Sequence, residues 1–279
     1  MKPQDQVYID LQQHLDRQAV GFPASKSRAE LKVLRHIFTP EEAAIAARLD
    51  YRHEPLEAIH SRVRHLVETT DELASILDGL LKKGGIEARE EDGRTCYANT
   101  PLVVGMYELQ VDRLTPEFIA DFKSYTSDWR FGLEFLATEL PQMRTIPISK
   151  SIRPQHQVAH GDEAAALLDQ TDGPFVVIDC ICRKKKRMSG NVCRLTDRRE
   201  TCLGMGPIAQ TVLKGGIGRE IQRDEALAII EANQKDGLIL QPSNTAKADF
   251  VCACCGCCCG MLQIHHNLPR PVDFWATNF

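Results

Sequence analysis

Cysteine is the residue type whose spacing in this sequence most clearly points to chemistry. Ten of the eleven cysteines lie between positions 180 and 259, and the other, Cys96, is expected to be a packing residue. Six thiols fall within the eight residues 252–259. The first residues carry no apolar run typical of an export signal, so this crowding favours metal ligation over disulfides. The candidate metal ligands are Cys180, Cys182, Cys193, Cys202, Cys252, Cys254, Cys255, Cys257, Cys258 and Cys259.

Three thiol chemistries compete for these residues. Iron–sulfur clusters take four thiolates each, so ten cysteines would serve two clusters and leave two spare. Structural zinc also takes four, usually from separated C-x2-C pairs, whereas the C-x2-C pairs within 252–259 overlap one another. A redox dithiol needs only two cysteines. We therefore expect two four-cysteine iron–sulfur sites, with zinc as the alternative cofactor.

Basic residues crowd the chain between the two thiol groups. Eight lysines and arginines lie within residues 183–199, and Asp197 is the opposing charge there. Because a thiolate-ligated cluster is anionic, nearby cations would stabilise it and raise its reduction potential. A solvated basic loop, or a docking surface for an acidic redox partner, are the alternatives. The candidate cofactor-binding residues are Arg183, Lys184 and Arg194.

The elements around the thiols are predicted from hydrophobic patterning. A strand is expected to run through residues 174–180 into the first cysteines, so that Cys180 and Cys182 project to one face. A loop of roughly forty residues should follow. The remaining segments are a strand at 144–152, a helix at 162–170, a strand at 216–221, a helix at 223–234 and a strand at 238–242. That order predicts a ferredoxin-like α+β sandwich with cysteine-rich loops.

The first part of the chain is predicted to be a separate helical domain. Amphipathic helices, one of them opened by Thr39-Pro40 and one capped by Thr69, precede a hairpin that turns at 91–93. Helices followed by a two-stranded wing are typical of a winged-helix domain. The predicted organisation is a winged-helix-like domain at 1–110, a helical linker at 111–142 and a cysteine-rich iron–sulfur-binding α+β domain at 143–279.

Charge and hydropathy exclude two classes of partner. Residues 29–99 contain ten lysines and arginines against fourteen aspartates and glutamates, so this domain is poorly suited to neutralise DNA phosphates. No run approaches the ~18 apolar residues needed to cross a bilayer. We expect no nucleic acid and no membrane insertion, and the N-terminal domain is instead expected to contact a partner, with a homodimer as one form of that contact.

The chain resembles a known family in the segments GFPAS, FTPEEAAIAARL, YANTPLVVGMYELQ, DCICR, GREI-x-x-DEAL and VCACCGCCCG, which follow one another in order. They resemble a ferredoxin-type iron–sulfur-binding family of anaerobic bacteria and archaea, with a winged-helix-like region before a cysteine-rich half. The resemblance implies [4Fe-4S] clusters, an electron-transfer role and the ten cysteines as ligands. Many relatives continue past PRPVDFWATNF into a domain with two further ferredoxin clusters.

These observations predict a cytoplasmic iron–sulfur electron carrier, or an electron-transferring subunit of an anaerobic oxidoreductase. One alternative is a redox-sensing winged-helix transcription regulator. Another is an iron–sulfur enzyme whose cluster is itself catalytic. No arrangement of a nucleophile with a base, or of paired carboxylates, predicts catalytic side chains.

Overall fold

The computed structural model describes residues 3–18, 20–137, 142–145, 164–171 and 173–265. The chain divides into two compact units that are described separately. The first comprises Met1–Thr138 with Lys214–Ile217, and the second comprises Glu139–Leu213 with Gly218–Phe279. Both helices and sheets are present, so the predicted α+β class is confirmed.

The first unit is mainly helical and carries one small sheet. Its helices are α1 (Pro3–Asp16), α2 (Ala29–Ile37), α3 (Pro40–Ala46), α4 (Leu56–Val63), α5 (Thr70–Lys82), α6 (Pro116–Thr126) and α7 (Trp129–Ala137), with a short 3-10 helix at Glu108–Gln110. Its strands are β1 (Glu54–Pro55), β2 (Ile86–Glu91) and β3 (Arg94–Asn99).

Local sequence signals fix several of these helix starts. The Thr39 side chain accepts a hydrogen bond from the Glu42 N–H while the Glu42 carboxylate accepts one from the Thr39 N–H, which completes a capping box before α3. At α5 and α6 the cap has only the first of these two bonds: the Thr69 side chain accepts from the Glu72 N–H, and the Thr115 side chain accepts from the Phe118 N–H. The predicted helix starts at Thr39-Pro40 and Thr69 are therefore confirmed, because N–H groups in the first turn of each helix have side-chain partners.

The predicted hairpin is also present. Strands β2 and β3 pair antiparallel, and β1 adds to the other side of β3. Between them Asp92 and Gly93 have φ values of 49° and 73°, the left-handed conformation that a tight two-residue hairpin turn requires. Aromatic rings fill part of the unit's interior: Tyr107 and Phe122 stack with their ring centroids 4.0 Å apart.

The second unit is built on a five-stranded antiparallel sheet. Its strands are β4 (Phe175–Asp179), β5 (Glu200–Met205), β6 (Arg219–Ile221), β7 (Ile239–Pro242) and β8 (Phe250–Cys254), in the spatial order β6-β4-β5-β8-β7. Its helices are α8 (Ala164–Leu168), α9 (Ile181–Met188), α10 (Gly206–Lys214), α11 (Arg223–Lys235) and α12 (Gly260–His265).

Two predictions about this unit are wrong. Strand β4 ends at Asp179 and α9 begins at Ile181, so Cys180 and Cys182 do not lie along one strand. The expected long loop instead contains α9, β5 and the helix after it. The reason is that five of the eight residues of ICRKKKRM are lysine or arginine, so the segment has few apolar residues from which a buried helix face could be predicted. The strand predicted at 144–152 lies mostly outside the described residues.

The apolar core of this unit packs against the sheet, and several cysteines lie at its edge. Helix α11 contacts β4, β5 and β7, and it brings Ile230 to an apolar cluster with Val177 and Leu240. Cys255 and Cys258 belong to the same buried cluster, and Cys182, Cys193 and Cys257 pack against it. The apolar core therefore forms one wall of the thiol-rich region.

Candidate metal centre

The structure brings all ten predicted ligands together in two groups of thiols. The first, the four-thiol group, consists of Cys193, Cys255, Cys257 and Cys258, whose Sγ atoms all lie within 4.8 Å of one another. Cys193 Sγ is 3.6 Å from Cys255 Sγ and 3.8 Å from Cys257 Sγ. Cys257 Sγ is 3.5 Å from that of Cys255 and 3.6 Å from that of Cys258. Four sulfurs at these distances can hold a metal ion.

The second group, the six-thiol ring, consists of six neighbouring thiols. Each of them shifts the pKa of the thiol before it and of the one after it. The order around the ring is Cys180, Cys182, Cys259, Cys254, Cys252, Cys202 and back to Cys180. No disulfide joins any of these residues, all of which are free cysteines.

Strand geometry positions half of the ring. Along β8 the side chains alternate between faces, so Cys252 and Cys254 project to one face while Val251 and Ala253 are buried in the core on the other. The register that pairs Leu203 of β5 with Val251 brings Cys202 next to Cys252. The sheet therefore fixes three of the six thiols.

The chain turns sharply after β8 and divides its cysteines between the two groups. The Cys258 and Cys259 N–H groups both donate to the Cys255 carbonyl, at 3.2 and 3.0 Å. Cys254 belongs to the ring and Cys255 to the four-thiol group, and Cys258 and Cys259 are divided in the same way. Because consecutive residues serve different groups, the two groups are direct neighbours.

Arg183 is a buried cation between the two groups. Its side chain is in α9, is 5% exposed, and donates from Nη1 to Thr201 Oγ1 at 2.5 Å and from Nη2 to the Ala253 carbonyl at 2.9 Å. It also hydrogen-bonds the Cys193 thiol, whereas its buried Nε has no hydrogen-bond partner within the described part of the chain.

The charge on Arg183 is balanced by sulfur. Burial acts to lower the pKa of its guanidinium, but the Cys180 sulfur and the Cys193 thiol, with smaller contributions from Cys255 and Cys202, raise that pKa above its ordinary value. A buried guanidinium costs free energy unless anions surround it. Arg183 therefore fits a site whose thiols are ionised, as metal ligation requires.

The six ring thiols share protons with their neighbours. The thiols of Cys202 and Cys254 lower the pKa of Cys252 to about 5. Neighbouring ring thiols likewise lower the pKa of Cys180 and of Cys259. The ring therefore gives up part of its protons more easily than isolated buried thiols would, as metal ligation requires.

The four-thiol group holds one thiol of low pKa. Burial raises the pKa of Cys193, but N–H groups of Leu195 and Thr196 and the Arg183 side chain outweigh it and set this pKa at about 6. The pKa of Cys255 is raised to about 11 by burial and by its hydrogen bond to Cys257. Cys193 is therefore the thiol of this group that ionises readily at neutral pH and could bind a metal first.

The other two predicted cofactor-binding residues, Arg194 and Lys184, contact this region through their backbone N–H groups. The Arg194 N–H donates to Cys257 Sγ at 3.5 Å, whereas its side chain is exposed. The Lys184 N–H donates to the Cys180 carbonyl at 2.9 Å, as part of the first turn of α9, and its side chain is half-buried.

Lys186 was missed by sequence reasoning, although it contacts the site. Its Nζ donates to the Cys257 carbonyl. Residues three apart lie on the same face of a helix, so Lys186 follows Arg183 toward the thiols. A helical interpretation of the basic run would have identified it.

Within the described residues, no helix is both long enough and apolar enough to cross a membrane. No family model, curated protein or solved structure matches this chain, so the chemistry of the site rests on its own residues.

Proposed function

We propose that this protein holds iron–sulfur clusters and carries electrons. The observation that carries the proposal is the gathering of ten free thiols into two neighbouring groups inside one unit. Thiolates are the usual ligands of iron–sulfur clusters, which supply one-electron transfer when bound. The cysteines would hold the clusters, and Arg183 would balance their negative charge.

The six-thiol ring favours iron–sulfur chemistry over zinc alone. A structural zinc ion takes four ligands in a tetrahedron, so a ring of six linked thiols exceeds what one zinc ion uses. A polynuclear centre has several metal atoms, each with its own terminal ligand, and can use more thiolates. The donors are all sulfur, which selects iron–sulfur clusters or zinc over magnesium and calcium.

The basic helix α9 supports a docking role beside the clusters. Arg183 and Lys186 face the thiols, whereas Arg187 is exposed. Positive charge at the surface of a redox protein speeds encounter with an acidic partner through electrostatic steering. We propose that an acidic redox protein docks on α9 and on the basic loop that follows it.

The finer family and fold interpretations belong to the same proposal. The helices of the first unit with the β2–β3 hairpin are compatible with a winged-helix-like domain. The antiparallel sheet with α11 against it is compatible with a ferredoxin-like sandwich extended by a fifth strand. Together with the cysteines they support membership of the ferredoxin-type [4Fe-4S] family and a cytoplasmic location.

Anaerobic purification tests the proposal. We expect iron and acid-labile sulfide in several equivalents per chain, and an electron paramagnetic resonance signal after reduction by dithionite. The reduced protein should return its electrons to a mild oxidant and restore the original spectrum. Zinc as the sole metal, with no acid-labile sulfide, would refute the iron–sulfur assignment.

A further inference from the structure

The geometry points to two unlike metal centres: we propose that the four-thiol group holds a single tetrahedral ion, while the six-thiol ring holds the polynuclear cluster. The single ion is thiophilic, either zinc or iron. The assignment of the ring rests on the proposed function, whereas the four-thiol group is argued from its own distances.

Sulfur–sulfur distances carry the argument for a single ion. Four thiolate sulfurs at ~2.3 Å from one central ion stand about 3.8 Å apart at the corners of a tetrahedron. Four of the six Sγ–Sγ distances are 3.6, 3.8, 3.5 and 3.6 Å. The other two pairs lie within 4.8 Å, so the four sulfurs are close enough together to surround one ion.

A cubane cluster would need these sulfurs to be further apart. In a cubane each thiolate binds a different iron, and the four thiolates surround a body of iron and sulfide atoms. In the four-thiol group the sulfurs are in contact with one another, so a single ion fits between them but a cluster does not. Moving them apart would disturb the short turn that carries three of the ligands, Cys255, Cys257 and Cys258.

The protein around this group resembles a closed structural site. Cys255 and Cys258 are buried, and the fourth ligand, Cys193, comes from a distant part of the chain. The Arg194 N–H donates to Cys257 Sγ at 3.5 Å, the kind of outer contact that orients a metal ligand. A full set of four protein ligands leaves no position open for a substrate.

The six-thiol ring differs in shape. The β5–β8 register places Cys202 beside Cys252, and Cys254 projects to the same face of β8 as Cys252. Among the described residues, the four-thiol group is the set of thiols that lie within 4.8 Å of one another, and the ring contributes no such set. A wider circuit of six ligands suits several metal atoms bridged by sulfide better than one ion.

A matched pair of variants tests the proposal, since Cys257 and Cys252 are both half-buried cysteines, one from each group. Full-length Cys257→Ser and Cys252→Ser would be purified anaerobically, and iron, zinc and acid-labile sulfide counted per chain. We expect Cys257→Ser to lose one metal equivalent and no sulfide, and Cys252→Ser to lose iron and sulfide together. Loss of several irons with sulfide from Cys257→Ser would overturn the single-ion site.

The wild-type protein gives a second measurement that does not depend on the variants folding. If the ion is zinc, X-ray absorption should show four sulfurs at about 2.3 Å and no neighbouring metal. If it is iron, the Mössbauer spectrum should contain an isolated tetrathiolate iron beside the cluster iron. Cluster iron alone, with neither of these signals, would overturn the proposal while leaving the electron-carrier function intact. Zinc alone without sulfide would overturn the ring assignment and that function together.

Discussion

The two units of the molecule fill their interiors differently. In the first unit, aliphatic and aromatic side chains pack from end to end, as in the fully buried Leu77 and Leu80 of α5 and the ring pair Phe22–Tyr125. In the second, an apolar cluster on the sheet gives way to ten thiols and the buried Arg183. The first interior is mostly apolar, although it also buries polar groups such as Glu30, whereas the second gathers thiols around a buried cation.

This difference indicates that metal would contribute to the folding free energy of the second unit but not of the first. Burying apolar surface stabilises the first unit by roughly 25 cal/mol per Å² without regard to metal. In the second unit, thiolates with lowered pKa values lie beside a buried guanidinium, and buried charges cost free energy unless they are paired or coordinate a metal. In the proposed metal-bound state, metal binding therefore contributes part of the folding free energy of the second unit.

Removal of the metals should give the largest effect. A chelator under reducing conditions is expected to abolish the amide-exchange protection of β5 and β8, while α5 and β3 stay protected. Structural zinc in zinc-finger peptides contributes on the order of 10–16 kcal/mol, which is comparable to the roughly 5–15 kcal/mol stability of a whole protein. Hydrogen exchange followed by mass spectrometry reads both units in one sample. Equal protection of β8 with and without metal would remove the distinction between the units.

A cavity in the first unit should destabilise that unit and leave the metal content of the second unit unchanged. Leu80 is fully buried, so Leu80→Ala should cost about 2–5 kcal/mol of the free energy of unfolding. The loss should appear as faster hydrogen exchange in α5 and a lower unfolding temperature of the first unit. Metal and sulfide content should stay at the wild-type value, and a parallel loss of metal would contradict the independence of the two interiors.

Removal of the positive charge of Arg183 should change the reduction potential of the proposed metal site. Arg183→Gln should lower the reduction potential by on the order of 50 mV, because a positive charge beside the thiolates favours the more negative, reduced state. Arg183→Lys retains the charge and serves as the matched control, with a smaller shift. Potentiometric titration of both variants measures the difference. Equal potentials for Gln, Lys and wild type would show that Arg183 has only a structural role.

The smallest effect concerns pH and the first unit. Burial, with a contribution from Arg89, lowers the pKa of His53 from 6.5 to about 4. Between pH 6.5 and 4 the folded protein keeps His53 neutral, whereas the unfolded chain binds a proton there. His53 therefore costs no stability above pH 6.5, and the free energy of unfolding falls as the pH drops from 6.5 toward 4. His53→Gln should flatten the dependence of the unfolding free energy on pH between 4 and 6.5. An unchanged slope in denaturant titrations would contradict the assignment.

Local signals were readable from the sequence, and long-range pairing was not. The Thr39 capping box and the Asp92-Gly93 turn depend on residues close in the chain, and both were predicted. That four of these cysteines gather where they could hold a metal also agrees with the prediction made from their spacing. Their division into four and six depends on the register of β5 against β8 and on the turn at 255–259, which no local pattern encodes. The polar helix α9 was missed because its inner face is formed by a charged residue, Arg183.

The division of consecutive cysteines between the two groups has a consequence for assembly. One peptide bond separates Cys254 from Cys255, and another separates Cys258 from Cys259. Filling either site fixes backbone torsions that the other site also needs fixed, so the first loading event carries part of the entropy loss of the second. The pair should therefore mature cooperatively, with half-filled molecules a minor population at every stage of metal delivery.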